Sequence, residues 1–239
     1  MSRAGADVVV RVNQPLELCV RDFEAAISPA IKALLLPKVD SASHVRLLAE
    51  LAERIEVAKG LPVGHNRFSI LVETAEAFSR VDEIAKAHPC ILAIGLGAED
   101  FALSTSSVPE ADILLYPKQR VAIAAHAAGI LAMGIIGSVA NFNNEAGIRE
   151  AVSRSRRFGF SGSACIHLKV VPLLNEGFSP TDEEVGAAER VIAGFQEAKA
   201  QGRASITVDG KMIDCPIVER AERLLNLARR TRSLAAEAS

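Results

Sequence analysis

The sequence predicts an α/β fold of the TIM-type (β/α) barrel kind, and three observations carry that prediction. Short runs of Val, Ile and Leu alternate with helical segments up to about residue 167. The best-defined strands are near-continuously apolar, the pattern of parallel strands joined by helical crossovers. A chain of 239 residues with 49% apolar content can fill a barrel-sized core.

Taken in order, Asp7-Val-Val-Val-Arg-Val-Asn13 reads as the first strand, followed by a helix from roughly Asp22 to Lys32 and a strand from Ala33 to Val39. Ser41 opens a helix whose His44, Leu47, Leu48, Leu51, Ile55 and Ala58 recur on one face, and Gly60 ends it. The central unit follows: a strand from Phe68 to Thr74, a helix from Ala75 to Ala87 capped by Thr74 and stopped before Pro89, and a strand from Ile91 towards Asp100. Pro117 suits the first turn of a helix running to Gly129. A strand from Ile130 to Val139, a helix from Asn144 to Phe158 closed by Gly159, and a strand from Ser161 to His167 complete the series. These are six βα units, whereas such a barrel closes with eight strands. The expectation is a barrel over residues 1–177 that lacks the first two units, so that the chain begins inside its fold.

Residues 178–239 change character. Thr181 and Glu184 form a capping box for a helix to about Gln201, which Gly202 ends. Ala204–Val208 and Lys211–Ile213 flank Asp209-Gly210, the chemistry of a tight hairpin. A last helix from Pro216 towards Arg229 gathers Val218, Ala221, Leu224, Leu225 and Ala228 on one face. This helix–hairpin–helix tail reads as a lid or an oligomerisation arm.

Composition narrows the function. Lys and Arg number 27 against 29 Asp and Glu, a net charge of −2, which gives no general attraction to nucleic acid or to an anionic membrane. The four cysteines, Cys19, Cys90, Cys165 and Cys215, are widely spaced, without a CxxC pair, and suit a reducing compartment. With no signal-like start and no apolar run of spanning length, a soluble cytoplasmic protein is expected.

The chemistry concentrates at the central unit. Two parallel neighbouring strands end in Glu73 and in the Glu99–Asp100 stretch, so Glu73 and Asp100 emerge at the same carboxyl edge, with strands about 4.8 Å apart. Carboxylates that close repel unless a cation lies between them, and a hard divalent ion, magnesium before zinc, suits oxygen donors; His88 and Cys90 lie at the other end of the strand. The alternative is that both act as helix caps or salt-bridge partners. Arg11 interrupts a strand of valines, and an arginine on its buried side needs an anionic partner. Lys38, after Pro37 at another strand end, is either a ligand for thioester or phosphate or a solvated lysine. His167 reads as a structural group or, at a strand end, a functional histidine, and Arg154, Arg156 and Arg157 as a solvated helix face or a contact for ligand phosphates. Gly95-Leu-Gly97 is a weak dinucleotide-binding match, since Asp100 replaces the third glycine and no helix is expected directly after Gly97.

Six motifs in register carry a resemblance: Val10-Arg-Val-Asn13, Leu36-Pro-Lys-Val39, Leu71-Val-Glu-Thr-Ala75, Gly97-Ala-Glu-Asp100, Cys165-Ile-His167 and Asp209-Gly-Lys-Met-Ile-Asp214. The chain resembles the citrate lyase beta subunit family, with its malyl-CoA and citramalyl-CoA lyases, within the HpcH/HpaI aldolase superfamily. The resemblance implies a magnesium-dependent carbon–carbon lyase acting on a 3-hydroxyacyl thioester of CoA or acyl-carrier protein. It implies Glu73 and Asp100 as Mg2+ ligands, Arg11 as the substrate-binding and catalytic cation, and Asp214 as an acid/base group. Asp214 would act in a neighbouring subunit of a homo-oligomer, a trimer or hexamer, through the C-terminal arm. The other function classes compatible with the sequence are a malyl-CoA-type thioesterase and a non-catalytic oligomeric binding homologue. Departures from the family pattern are Leu168 where proline commonly follows Ile-His, Asp40 where glutamate is usual, and Gly134 where an acidic residue is frequent.

Overall fold

The computed structural model describes residues 7–137, 143–201, 205–208 and 210–237. It divides into two compact units, Met1–Phe178 and Ser179–Ser239. The first unit holds strands β1 (Val9–Arg11), β2 (Ala33–Leu36), β3 (Arg67–Val72), β4 (Ile91–Leu96) and β5 (Leu131–Met133), which form one sheet in sequence order. Every pairing is parallel, with Arg11 opposite Leu35, Leu36 opposite Ile70, Val72 opposite Leu96 and Gly95 opposite Met133. All carboxyl ends therefore share one edge.

The crossovers are α1 (Leu16–Ala26), α2 (Ala42–Ala58), the pair α3 (Ala75–Ser79) and α4 (Val81–Ala85), then α5 (Ala98–Ser104) and α6 (Leu115–Ala127). Beyond β5 come α7 (Glu145–Arg157), a short 3-10 turn at Leu168–Val170 and α8 (Val171–Phe178). Phe68, Ile70 and Val72 of β3 are fully buried, alternating with half-buried Arg67, Ser69 and Leu71, so one sheet face carries the main core. Phe23 of α1 meets Phe68 edge-on with ring centroids 5.9 Å apart. Ser41 and Thr74 cap α2 and α3 through side-chain oxygens that accept from the amides of His44 and Ala77.

Several elements differ from expectation. The first helix begins at Leu16, just after Pro15, and Asp22 lies within it, its carboxylate taken by the main-chain and side-chain N–H groups of Asn13 at 2.7 and 2.8 Å. The helix expected over Ala75–Ala87 is broken at Arg80, which leaves the helical region at φ −113° and ψ 17°. The strand expected from Ile130 is confined to Leu131–Met133, because Gly134 turns the chain at φ 152°; Val139 lies outside the described residues. The strand expected over Ser161–His167 is reduced to one bridge, Gly162 to Met133, since Ser-Gly-Ser-Ala offers no large apolar side chain to hold a ladder. Among the described residues no strand pairs β1 with β5, so the sheet is an open five-stranded parallel array and the sixth strand of the expected barrel is absent.

The second unit contains α9 (Asp182–Ala200), the antiparallel pair β6 (Ile206–Val208) and β7 (Lys211–Ile213), and α10 (Cys215–Glu237). The capping box at Thr181 and Glu184 is formed. Gly210 adopts φ 74° in the hairpin turn, and its partner Asp209 lies outside the described residues. The last helix is longer than expected, beginning at Cys215 and running eight residues past Arg229 to Glu237.

Candidate active site

The candidate site is built from three consecutive strand ends. β2 stops at Leu36, and buried Pro37 has no N–H to continue a ladder. Lys38 then takes φ 50°, a left-handed conformation that costs a non-glycine residue about 1 kcal/mol. This turn aims the Lys38 main-chain N–H at Glu73 Oε2, 2.7 Å away, a charge-assisted bond that offsets the strain. Glu73 follows β3 directly and is 4% exposed. The Gly97 amide donates to the Val72 carbonyl at 3.0 Å, tying the end of β4 to the residue before Glu73.

Gly97 is required for this approach. A Cβ there would lie 2.5 Å from Glu73 Cγ and 2.6 Å from Oε1. Immediately beyond it α5 begins at Ala98, so Asp100 sits in the first helical turn and not at a strand end; the expectation that no helix starts after Gly97 is corrected. The dinucleotide reading gains nothing, because the Glu73 carboxylate fills the space above Gly97 where a pyrophosphate would have to lie.

Lys38 joins the two acids. Its Nζ lies 3.0 Å from Asp100 Oδ1 while its main chain serves Glu73, so one residue answers both carboxylates. Burial pushes the Glu73 carboxyl above the usual range; the Lys38 amide pulls it back, the Asp100 charge raises it again, and Arg11 and the Lys38 ammonium lower it.

Arg11 is exposed, contrary to the expectation of a buried-side arginine. Among the described residues β1 pairs only with β2, and Val12 supplies the buried contact in its place. Arg11 nevertheless faces the site: it acts on Glu73 and lines a cavity of about 450 Å³ with Asn13, Gln14, Pro37 and Lys38.

Asp214 lies in the second unit, where its carbonyl accepts the Ile217 and Val218 amides at the start of α10, both at 3.1 Å. His167 Nδ1 accepts the Lys169 amide at 3.1 Å, a local capping role. Arg154 and Arg157 are exposed in the last turn of α7, where basic side chains suit the helix dipole.

The donor set suits a hard divalent cation: two carboxylates, Glu73 at the end of β3 and Asp100 in the first turn of α5 after β4, with Glu73 buried and its carboxyl raised by burial and then by the Asp100 charge. Among the described residues no third His, Cys, Asp or Glu joins them, so the remaining positions would fall to water and ligand oxygens, the usual habit of magnesium.

The HpcH/HpaI aldolase/citrate lyase family model matches residues 1–168. The chain belongs to that family. It is 32% identical over 226 residues to the citrate lyase subunit beta of Leuconostoc mesenteroides, covering 93% of this chain and 74% of that one. It is also 32% identical over 214 residues to an L-malyl-CoA/beta-methylmalyl-CoA lyase of Cereibacter sphaeroides, covering 82% and 66%. Among solved structures it resembles the protein CitE of Mycobacterium tuberculosis in complex with magnesium, acetoacetate and coenzyme A, with a TM-score of 0.72, 28% identity, and 92% and 78% of the two chains covered. The parallel sheet is thus the family's fold.

Within this family frame, sequence reasoning missed Lys118. It is 5% exposed on α6, and its Nζ donates to the carbonyls of Ile135 and Gly137 at 2.7 and 3.0 Å. Burial lowers its pKa. It pins the segment that leaves β5 at the same carboxyl edge, helped by buried Ser155, whose Oγ accepts the Ile136 amide at 2.6 Å. In the string Tyr116-Pro-Lys-Gln-Arg120 a lysine looks like part of a solvated first turn, and no sequence signal marks it.

Proposed function

We propose that this protein is a magnesium-dependent carbon–carbon lyase that cleaves a 3-hydroxyacyl thioester, of the citryl-, malyl- or citramalyl-CoA type, to acetyl-CoA and an oxo acid. The observation that carries this reading is the convergence of Glu73, at the end of β3, and Asp100, in the first turn of α5, on Lys38, in a family whose named relatives include a citrate lyase subunit beta and an L-malyl-CoA/beta-methylmalyl-CoA lyase. In the retro-Claisen reaction the hydroxyl proton passes to solvent and the hydroxyl carbon becomes a carbonyl. The bonding pair of the broken C–C bond moves to the thioester fragment as its enolate, and the enolate carbon then takes up a proton. A cation held by Glu73 and Asp100 would supply Lewis acidity to the hydroxyl oxygen.

The chain's own residues supply the rest. Arg11 projects into the cavity and can pair with carboxylate or enolate oxygens through two parallel hydrogen bonds. Lys38 lines the same cavity and adds a point charge for substrate. Asp214, next to the hairpin, would deliver the proton to the enolate carbon in a neighbouring subunit of a homo-oligomer, the arm acting as a lid that excludes water.

The test is product analysis by mass spectrometry on citramalyl-, malyl- and citryl-CoA, with and without magnesium, beside Asp100→Asn. The expected result is magnesium-dependent acetyl-CoA that disappears in the variant. Free CoA without acetyl-CoA identifies a thioesterase, and no turnover by folded protein identifies a binding homologue; either overturns the proposal.

A further inference from the structure

The site carries no net charge without a metal: Arg11 and Lys38 balance Glu73 and Asp100. A divalent cation would add two positive charges to this group. The balance is restored most directly if a cationic side chain leaves the carboxylates and an anionic ligand arrives. Lys38 is the one placed to move. Its main chain is fixed by Glu73, whereas its side chain is tied to Asp100 by a single 3.0 Å ion pair with the two side chains 46% and 40% exposed. It also already lines the cavity that contains Arg11, Asn13 and Gln14.

We propose that Lys38 is a built-in stand-in for the cation: its ammonium holds Asp100 when no divalent ion is bound, and cation binding releases it into the Arg11 cavity. The consequence is ordered binding, cation first, then a ligand bearing two negative charges, such as a carboxylate with a second anionic oxygen. This rests on Glu73 and Asp100 being cation ligands.

Two measurements test it without turnover. The first is Mn2+ affinity by titration calorimetry for wild type, Lys38→Gln, Asp100→Asn and Lys32→Gln, the last removing the same charge at the opposite end of β2. Because a half-exposed ion pair is worth at most about 1 kcal/mol, and a competing state reduces apparent affinity by its population, Lys38→Gln is expected to bind Mn2+ about threefold to fivefold more tightly. Lys32→Gln is expected to match wild type. The second is acetylation of wild-type lysines followed by mass spectrometry, in which labelling at Lys38 rises on adding Mg2+ while that at Lys32 does not. Unchanged or weaker Mn2+ binding by Lys38→Gln, or Lys38 labelling that does not rise, overturns the stand-in role. If wild type binds no divalent cation, the carboxylate assignment fails with it; if wild type binds and Asp100→Asn abolishes binding, only the role of Lys38 is in question.

Discussion

Gly97→Ala gives a sharp test of how the site is built. Gly97 has φ −81° and ψ 98°, a backbone conformation open to alanine, so the substitution carries no conformational penalty and even gains about 0.4–1 kcal/mol by restricting the unfolded chain. Its cost is steric. The new Cβ would stand 2.5 Å from Glu73 Cγ, 2.6 Å from Oε1 and 2.9 Å from Cδ, all well inside contact distance. Glu73 is buried and bound to the Lys38 amide, so it either stays under compression or swings away and leaves that amide unpaired. Overpacking or a lost buried hydrogen bond each costs about 1–3 kcal/mol, which outweighs the entropic gain. Expected are a net destabilisation of about 1–2 kcal/mol in urea unfolding and a loss of Mg2+ affinity of at least about tenfold, equivalent to about 1.4 kcal/mol, in calorimetric titration. Gly129→Ala is the control: its φ is 69° with no atom within 4 Å of a new Cβ, so it should lose stability with cation binding unchanged. A Gly97→Ala protein with wild-type stability and wild-type Mg2+ affinity would refute the geometry assigned to Glu73.

The remaining predictions concern the supports of the sheet edge and its outer face. Lys118→Met leaves the carbonyls of Ile135 and Gly137 without their shared donor while relieving the burial of a charge, and should lower urea stability by about 1–2 kcal/mol. A variant as stable as wild type would show that the ammonium is not needed there. Asp82 accepts two hydrogen bonds from the Arg120 guanidinium, which hold its carboxyl below its ordinary value of 3.8. A carboxylate lowered in the folded state stabilises it above that ordinary value and stops doing so as the pH falls through the lowered one. Because both side chains are partly exposed, Asp82→Asn should cost under about 1 kcal/mol at neutral pH, with the gap to wild type closing as the pH falls below 3.8. A gap that persists in strong acid would contradict the linkage.

The order of strands and the carboxylate pair were legible in the sequence because both follow from local signals. β3 and β4 are runs of apolar residues with a capping threonine and a proline between them, and parallel connection brings their ends to one edge. What was not legible depended on contacts distant in sequence. Arg11 was expected on a buried side because its neighbours are valines, but strand burial depends on what covers each face, and among the described residues β1 pairs on one side, with β2. The Ser161–His167 segment matched strand spacing, yet its small side chains hold a single bridge. Asp100 was read as a strand terminus because nothing in Gly97-Ala-Glu-Asp announces a helix cap. Lys118 gave no signal, since the carbonyls it serves lie 17 and 19 residues away.

The site also shows why its residues depend on each other more than their spacing suggests. In a parallel sheet whose strands run in sequence order, consecutive loops meet at one edge, so each loop can satisfy the next. The turn after β2 gives its amide to Glu73 after β3; the residue before Glu73 gives its carbonyl to Gly97 after β4; and Asp100, one helical turn later, returns to Lys38 after β2. The circuit closes through Lys38, the residue that accepts the strained φ. Strain there is tolerable because two carboxylates need a donor and a charge at that point, and one lysine in a left-handed turn supplies both. Replacing Lys38 by glycine would relax the backbone and keep the amide on Glu73 while deleting the charge on Asp100, separating the two functions that the native residue combines.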